Sequence, residues 1–162
     1  MTGRLTMLSA LSVMLLALPG CAPERDCTLI GAPAGVSLTI APPLAARVSE
    51  AELTACWGGS CTTARPLLSP ADRVTTQTCD ADSCGATLTR TGGKRGFGDV
   101  AGLPKAPVKV RVKLKGADGG TVLDRTLTVT PRGSFPNGPD CGEGGPQAAI
   151  TVSGDGGLSA AT

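Results

Sequence analysis

Cysteine is the residue through which this chain can do most of its chemistry. Seven occur, at positions 21, 27, 56, 61, 79, 84 and 141, and there is no histidine. Without an imidazole, the Ser-His-Asp and Cys-His arrangements are excluded, and so are the usual nitrogen ligands of zinc and copper. The carboxylates Asp80/Asp82 and Asp140/Glu143 lie in stretches dense in turn-forming residues and read as turn formers rather than as an acid–base pair. No Ser-x-x-Lys occurs. The Asp80-x-Asp82-x-Cys84-Gly85 run has Cys where a calcium loop needs an oxygen and Thr91 where it needs Glu. Thr91 to Gly98, rich in glycine and containing Lys94, lacks the phosphate-loop spacing. No enzyme activity, metal or cofactor is therefore expected. What remains open to these residues is bridging and thiol modification.

Cys21 stands apart from the other six. It follows a basic start (Met1 to Arg4) and an apolar run from Leu5 to Leu18. At ~1.5 Å per residue, a run of that length is too short to cross a ~30 Å hydrocarbon core, and it has the layout of a secretory signal. Leu18, Gly20 and Cys21 resemble the lipobox of bacterial lipoproteins, with Pro19 where that motif usually has Ala, Ser, Thr, Val or Ile. The resemblance implies cleavage before Cys21 and a thioether-linked diacylglycerol on it, a stable two-chain anchor. It also implies an extracytoplasmic location on the cell membrane. The alternative is a cleaved signal whose Cys21 joins a disulfide. The Ala/Gly/Thr/Arg-rich, Lys-poor composition resembles that of actinobacterial proteins. Arg4 is the one charge within residues 1–20, so the mature chain keeps 14 Lys+Arg and 13 Asp+Glu, giving no electrostatic footprint for nucleic acid.

With Cys21 assigned to lipid, six cysteines remain, an even set in a compartment where disulfides persist. Gly58-Gly59 suits a two-residue type I′ turn, which needs positive φ at both positions. Folding about it pairs Trp57 with Ser60, Cys56 with Cys61, Leu53 with Ala64 and Glu52 with Arg65. The cysteines then occupy a non-hydrogen-bonded site, where Cα atoms are ~4.5 Å apart and a bridge fits. Cys79 and Cys84 close a second short loop. By elimination Cys27 pairs with Cys141 and ties the ends of the domain together. Five residues separate Cys21 from Cys27, a tether that reaches roughly 20 Å when extended.

The elements that position these residues read as strands. Val36, Leu38 and Ile40 alternate with Ser37 and Thr39 from Gly35 to Ala41, closed by Pro42-Pro43. Leu44 to Val48 suits a short turn of helix. Strands follow at Glu50 to Trp57, Arg73 to Thr78 and Gly85 to Thr91. A mobile loop is expected over Thr91 to Gly98, leading into a strand from Phe97 to Ala101. The strongest pattern is Pro107 to Thr130. There Val108, Val110, Val112 and Leu114 alternate with Lys109, Arg111, Lys113 and Lys115, and a turn at Asp118-Gly119 pairs Leu114:Leu123, Val110:Leu127, Val108:Val129 and Lys113:Asp124. Arg125 opposite Val112 is the misfit, marking an edge, a bulge or a snorkelling side chain. Gln147 to Val152 offers a last strand.

The fold expected is all-β, an antiparallel two-sheet sandwich stapled by disulfides. Residues 96–130 are similar to the late strands of bacterial immunoglobulin-like domains. The organisation is a signal peptide over 1–20, a lipidated tether over 21–34, a sandwich over 35–152 and a flexible tail over 153–162. The function expected is a non-catalytic binding or interaction module, held to the membrane by lipid and facing an envelope or protein partner. The alternatives are a small-ligand carrier with a cavity between the sheets and, behind it, a histidine-independent hydrolase. The row Lys109, Arg111, Lys113, Lys115 reads as a solvated sheet face, or as a contact for anionic headgroups or wall polymers.

Overall fold

The structure is a computed structural model that describes residues 27–160. Cys21, the signal peptide and the tether up to residue 26 lie outside the described residues. Ten strands follow in order: β1 (Gly35–Ile40), β2 (Glu50–Trp57), β3 (Ser60–Ala64), β4 (Ser69–Cys79), β5 (Cys84–Asp99), β6 (Val108–Lys115), β7 (Thr121–Val129), β8 (Arg132–Gly133), β9 (Pro146–Val152) and β10 (Leu158–Ala160). One 3-10 turn, Leu44–Arg47, sits between β1 and β2. The strands form two sheets, as expected of an all-β sandwich. One runs β3-β2-β6-β7; the other, more curled, runs β10-β9-β1-β5-β4, with β8 also on β9.

Alternation explains the packing. Val36, Leu38 and Ile40 of β1 and Ile150 and Val152 of β9 face Leu53 and Ala55 of β2 and Val108, Val110, Val112 and Leu114 of β6, all buried. Most of these inward residues are followed by an outward polar one, so a single register serves both core and solubility. The core is aliphatic throughout, and Trp57 packs against it only in part. The β6–β7 register is the expected one, Val108↔Val129, Val110↔Leu127 and Leu114↔Leu123. Arg125 does fall opposite Val112, on β7, which is the edge strand of its sheet. It remains exposed beside Asp155, whose carboxyl it helps to hold below the usual range after the larger effects of Ser153 and the Gly157 and Asp155 amides.

Three features differ from the expectation. The sandwich is not wholly antiparallel: β1 and β9 pair in parallel, Gly35↔Gln147 to Ile40↔Val152. The loop expected over Thr91 to Gly98 is part of one 16-residue strand, β5, whose Lys94–Asp99 half pairs with β1. Its glycines are there for close approach. A Cβ at Gly96 would stand 2.9 Å from the Leu67 carbonyl oxygen, and one at Gly98 would stand 3.0 Å from Ala64 Cβ, because the chain linking β3 to β4 crosses there. The segment expected as a tail turns back through Ser153–Gly157, with Ser153 N donating to Gly157 O at 2.9 Å, and adds β10 to β9.

Three disulfides lock this body: Cys27–Cys141, Cys56–Cys61 and Cys79–Cys84. The first closes a separation of 114 residues and the others 5 each. Loop-closure entropy makes the long bridge worth about 5 kcal/mol and each short one about 2.

Candidate functional site

All six cysteines of the described body are consumed in bridges, so none supplies a thiolate. Asp80 is a turn former: Ser83 donates to its Oδ1 from backbone N at 3.0 Å and from Oγ at 2.9 Å, which lowers the pKa of the carboxyl. Glu143 is taken by Lys105, whose Nζ lies 2.9 and 2.8 Å from its two oxygens. Among the described residues, no three of Cys, Asp and Glu gather as a metal ion would require.

The basic row lies on the outward face of β6, with Lys109 and Arg111 exposed and Lys113 and Lys115 half-buried. The row is interleaved with acids. Glu50 is in register with Lys115 and Glu52 with Lys113, and Glu52 accepts from Arg65 at 3.2 Å. Asp124 sits opposite Lys113, as the pairing expects, but its carboxylate is held by Arg111 in a two-bond fork of 2.6 and 2.5 Å. A guanidinium offers two parallel donors where an ammonium offers a point charge, so the diagonal neighbour wins. The pairing lowers the pKa of Asp124 and raises that of Arg111. The row is thus part of a mixed-charge sheet face.

The feature that stands clear of the body is the distal half of the β4–β5 hairpin. Every residue from 73 to 92 is exposed, on both strands and both faces. The pairs run Arg73↔Thr89, Val74↔Leu88, Thr76↔Thr87, Gln77↔Ala86 and Cys79↔Cys84, with Thr75 bulged out. Thr75 Oγ1 reaches back to the Thr87 carbonyl at 3.2 Å. At ~3.3 Å per residue, this ribbon extends roughly 20 Å beyond the body. By register one face carries Val74, Leu88, Gln77, Ala86 and the disulfide, and the other Arg73, Thr76, Thr78, Thr87 and Thr89. The sequence holds a signal for this arm. Between Ala71 and Phe97 the only large apolar residues are Val74 and Leu88, too few for a strand with a buried face.

The arm has a fixed place relative to the amino-terminal bridge. β1 leaves the Cys27 region at Gly35 and ends at Ile40, which pairs with Lys94. Upstream of Lys94, β5 continues past the end of β1 as the arm. The arm therefore leaves the body at the end of β1 remote from Cys27. β6 runs between the same two ends: it begins at Val108 after a short crossover from Asp99 and finishes at Lys115, which accepts from Ser49 N at 2.8 Å. Lys109 is the member of the basic row nearest the Cys27 end.

A cleft of about 220 Å³ lies near the root of the arm, between Ser49–Glu52, Arg65–Leu68, Lys113 and Lys115. Leu67 on its wall is almost wholly exposed. A carrier would need its cavity between the sheets, where Leu38, Ile40, Leu53, Leu114 and Ile150 interdigitate with less than 2 % exposure each. The chain matches no family model, no curated protein and no solved structure.

Proposed function

We propose that this chain is an extracytoplasmic lipoprotein, anchored in the cell membrane through lipid on Cys21, that works as a non-catalytic interaction module. The observation that carries the reading is the arm: twenty consecutive exposed residues, closed by a disulfide, at the end of the body remote from Cys27. A ribbon with both faces and both edges open adds nothing to the core, and its surface is free to meet a partner. It offers backbone donors and acceptors for strand addition, and the side chains of Val74 and Leu88 for apolar contact. With Cys21 held at the membrane, the arm points outward, toward an envelope or protein partner. The immunoglobulin-like class of the sandwich belongs to this proposal and is supported by its two-layer packing and its β6–β7 hairpin. Contact of the basic row with anionic headgroups or wall polymers belongs to it as well, with Lys109 the member best placed.

The test is site-specific photo-crosslinking in the intact host, with the reactive residue at Thr76 or Thr87 on the arm and at Thr126 on the outer face of β7. A discrete adduct from positions 76 and 87, and none from 126, is the expected result. Equal or absent labelling at all three positions would remove the arm as the interaction element. Acyl labelling of the same protein, lost in Cys21→Ser, checks the anchor.

A further inference from the structure

The Cys27 end of the molecule carries an apolar knob that the core does not use. It is made of residues 27–30 and the loop 135–141, joined by the Cys27–Cys141 bridge. Asn137 fastens the two segments a second time. Its Nδ2 donates to the Ile30 carbonyl at 3.0 Å, while its Oδ1 accepts from Ile30 N at 3.2 Å and from the Thr28 hydroxyl. Both backbone groups of Ile30 are thus satisfied locally, and the neighbouring Leu29, Ile30 and Phe135 side chains stay exposed. Leu29 is 101 % exposed, Ile30 58 % and Phe135 48 %. Six large apolar residues are exposed among the described residues, and three of them are here. Of the others, Val74 and Leu88 are on the arm and Leu67 is at the cleft. Leu29, Ile30 and Phe135 have no charged neighbour within 27–34 or 133–139, and Asp140, exposed beside Cys141, is the one charged residue of the knob.

We infer that this knob is a membrane seat: Leu29, Ile30 and Phe135 enter the boundary between headgroups and acyl chains of the bilayer that holds Cys21. The inference rests on the reading that Cys21 is lipidated, and it fixes how the body stands. Three observations select a lipid surface as the occupant. The chain beyond the described residues enters the knob at Cys27, with five residues between it and Cys21, so the tether of roughly 20 Å keeps the knob at the interface. A surface with exposed leucine, isoleucine and phenylalanine, and with Asp140 at its border as its one charge, is suited to shallow insertion that leaves the carboxylate among the headgroups. Each buried CH₂ then adds to the hold of the two acyl chains. The exposed cations Arg132, in β8 ahead of the loop, and Lys109 lie toward this end, at the level of the phosphates. The molecule stands on its amino-terminal bridge and lifts its arm away from the membrane.

The experiment uses the full chain, expressed and processed in its host and reconstituted into phosphatidylcholine–phosphatidylglycerol vesicles containing acyl-brominated lipid. Leu29→Trp, Phe135→Trp and Leu88→Trp are each read against the parent, whose only tryptophan is Trp57. The expected result is flotation of all variants with the vesicles. The added emission at positions 29 and 135 is quenched by the brominated lipid, and that at position 88 is not. Variants that float while positions 29 and 135 escape quenching would overturn the seat and leave the anchor intact. Quenching at position 88 would overturn it by placing the arm on the membrane. A protein that does not float at all would overturn the anchor, and the seat with it.

Discussion

Two hairpins in this molecule are closed by the same covalent device and live in opposite surroundings. β2–β3 ends in Cys56–Cys61 and β4–β5 in Cys79–Cys84; both bridges span 5 residues, and both hold their Cα atoms 4.1 Å apart. Each joins two cysteines directly opposite one another. In the first hairpin, Ala51, Leu53 and Ala55 are buried and β6 pairs along the other edge of β2. In the second, residues 73–92 have neither a buried face nor a third strand. An isolated two-stranded ribbon is marginal in water. The comparison separates two ways of holding a hairpin: by the core it covers, and by the closure of its own tip.

The largest expected contrast comes from truncating an apolar side chain on each hairpin. Leu53→Ala leaves a cavity between the sheets and is expected to cost about 3 kcal/mol, within the range for buried leucine. Leu88→Ala removes a side chain that is mostly in water and is expected to change global stability by less than about 0.5 kcal/mol. Urea unfolding of both variants at matched oxidation checks this. A loss of 2 kcal/mol or more in Leu88→Ala would mean that this side chain is covered in the folded monomer.

Removing the bridges sharpens the comparison further. By loop closure each short bridge is worth about 2 kcal/mol, but that energy is read in different places. The β2–β3 hairpin unfolds only with the body, so Cys56→Ser/Cys61→Ser is expected to lower the global unfolding free energy by about that amount. The arm can open while the body stays folded, as weakly supported regions do. Cys79→Ser/Cys84→Ser is therefore expected to leave global unfolding nearly unchanged. Amide protection at Val74, Thr76 and Thr87 should be lost. Hydrogen exchange resolved by residue distinguishes the two. Equal global losses in both double variants would show the arm to be cooperative with the sandwich.

The difference between the hairpins also marks what could be read from the sequence. The β2–β3 hairpin and its bridge follow from local facts: period-two alternation, two glycines at positive φ (55° at Gly58, 81° at Gly59) and opposite charges at Glu52 and Arg65. The β6–β7 pairing follows in the same way, down to the misfit at Arg125. What was not legible depends on contacts distant in sequence. Gly96 and Gly98 resemble loop glycines until the Pro66–Leu67 crossing above them is known; only then does the missing Cβ explain a continuous strand. The parallel partner of β1 lies more than a hundred residues away, and no local pattern points to it. The scarcity of large apolar residues between Ala71 and Phe97 is visible in the sequence, but the alternation rule treats each strand as having one buried face. The Arg111–Asp124 pair needed side-chain geometry, because register alone assigns Asp124 to Lys113.

The smallest expected effect compares one carboxylate from each region. Asp80 at the tip of the arm and Asp124 on β7 both have pKa values below the ordinary carboxylate value, Asp80 first through the Ser83 hydroxyl and Asp124 first through the Arg111 guanidinium. A carboxyl whose folded pKa is depressed binds fewer protons folded than unfolded. Its stabilisation is present above the unfolded value and is lost as pH falls through the folded one. Both groups are exposed, so the losses are small and screened by salt. Carboxyl-resolved NMR titration is expected to find both midpoints below that of an unstructured aspartate. Ser83→Ala should raise the first without moving the second, and Arg111→Gln the reverse. In the acid limb, loss of the Asp124 contribution should register in global unfolding, because β7 belongs to the cooperative body. Loss of the Asp80 contribution should register only as faster exchange at the tip. A tip that softened the whole sandwich on acidification would join the two hairpins into one folding unit and remove the basis for treating the arm as a separate, presented element.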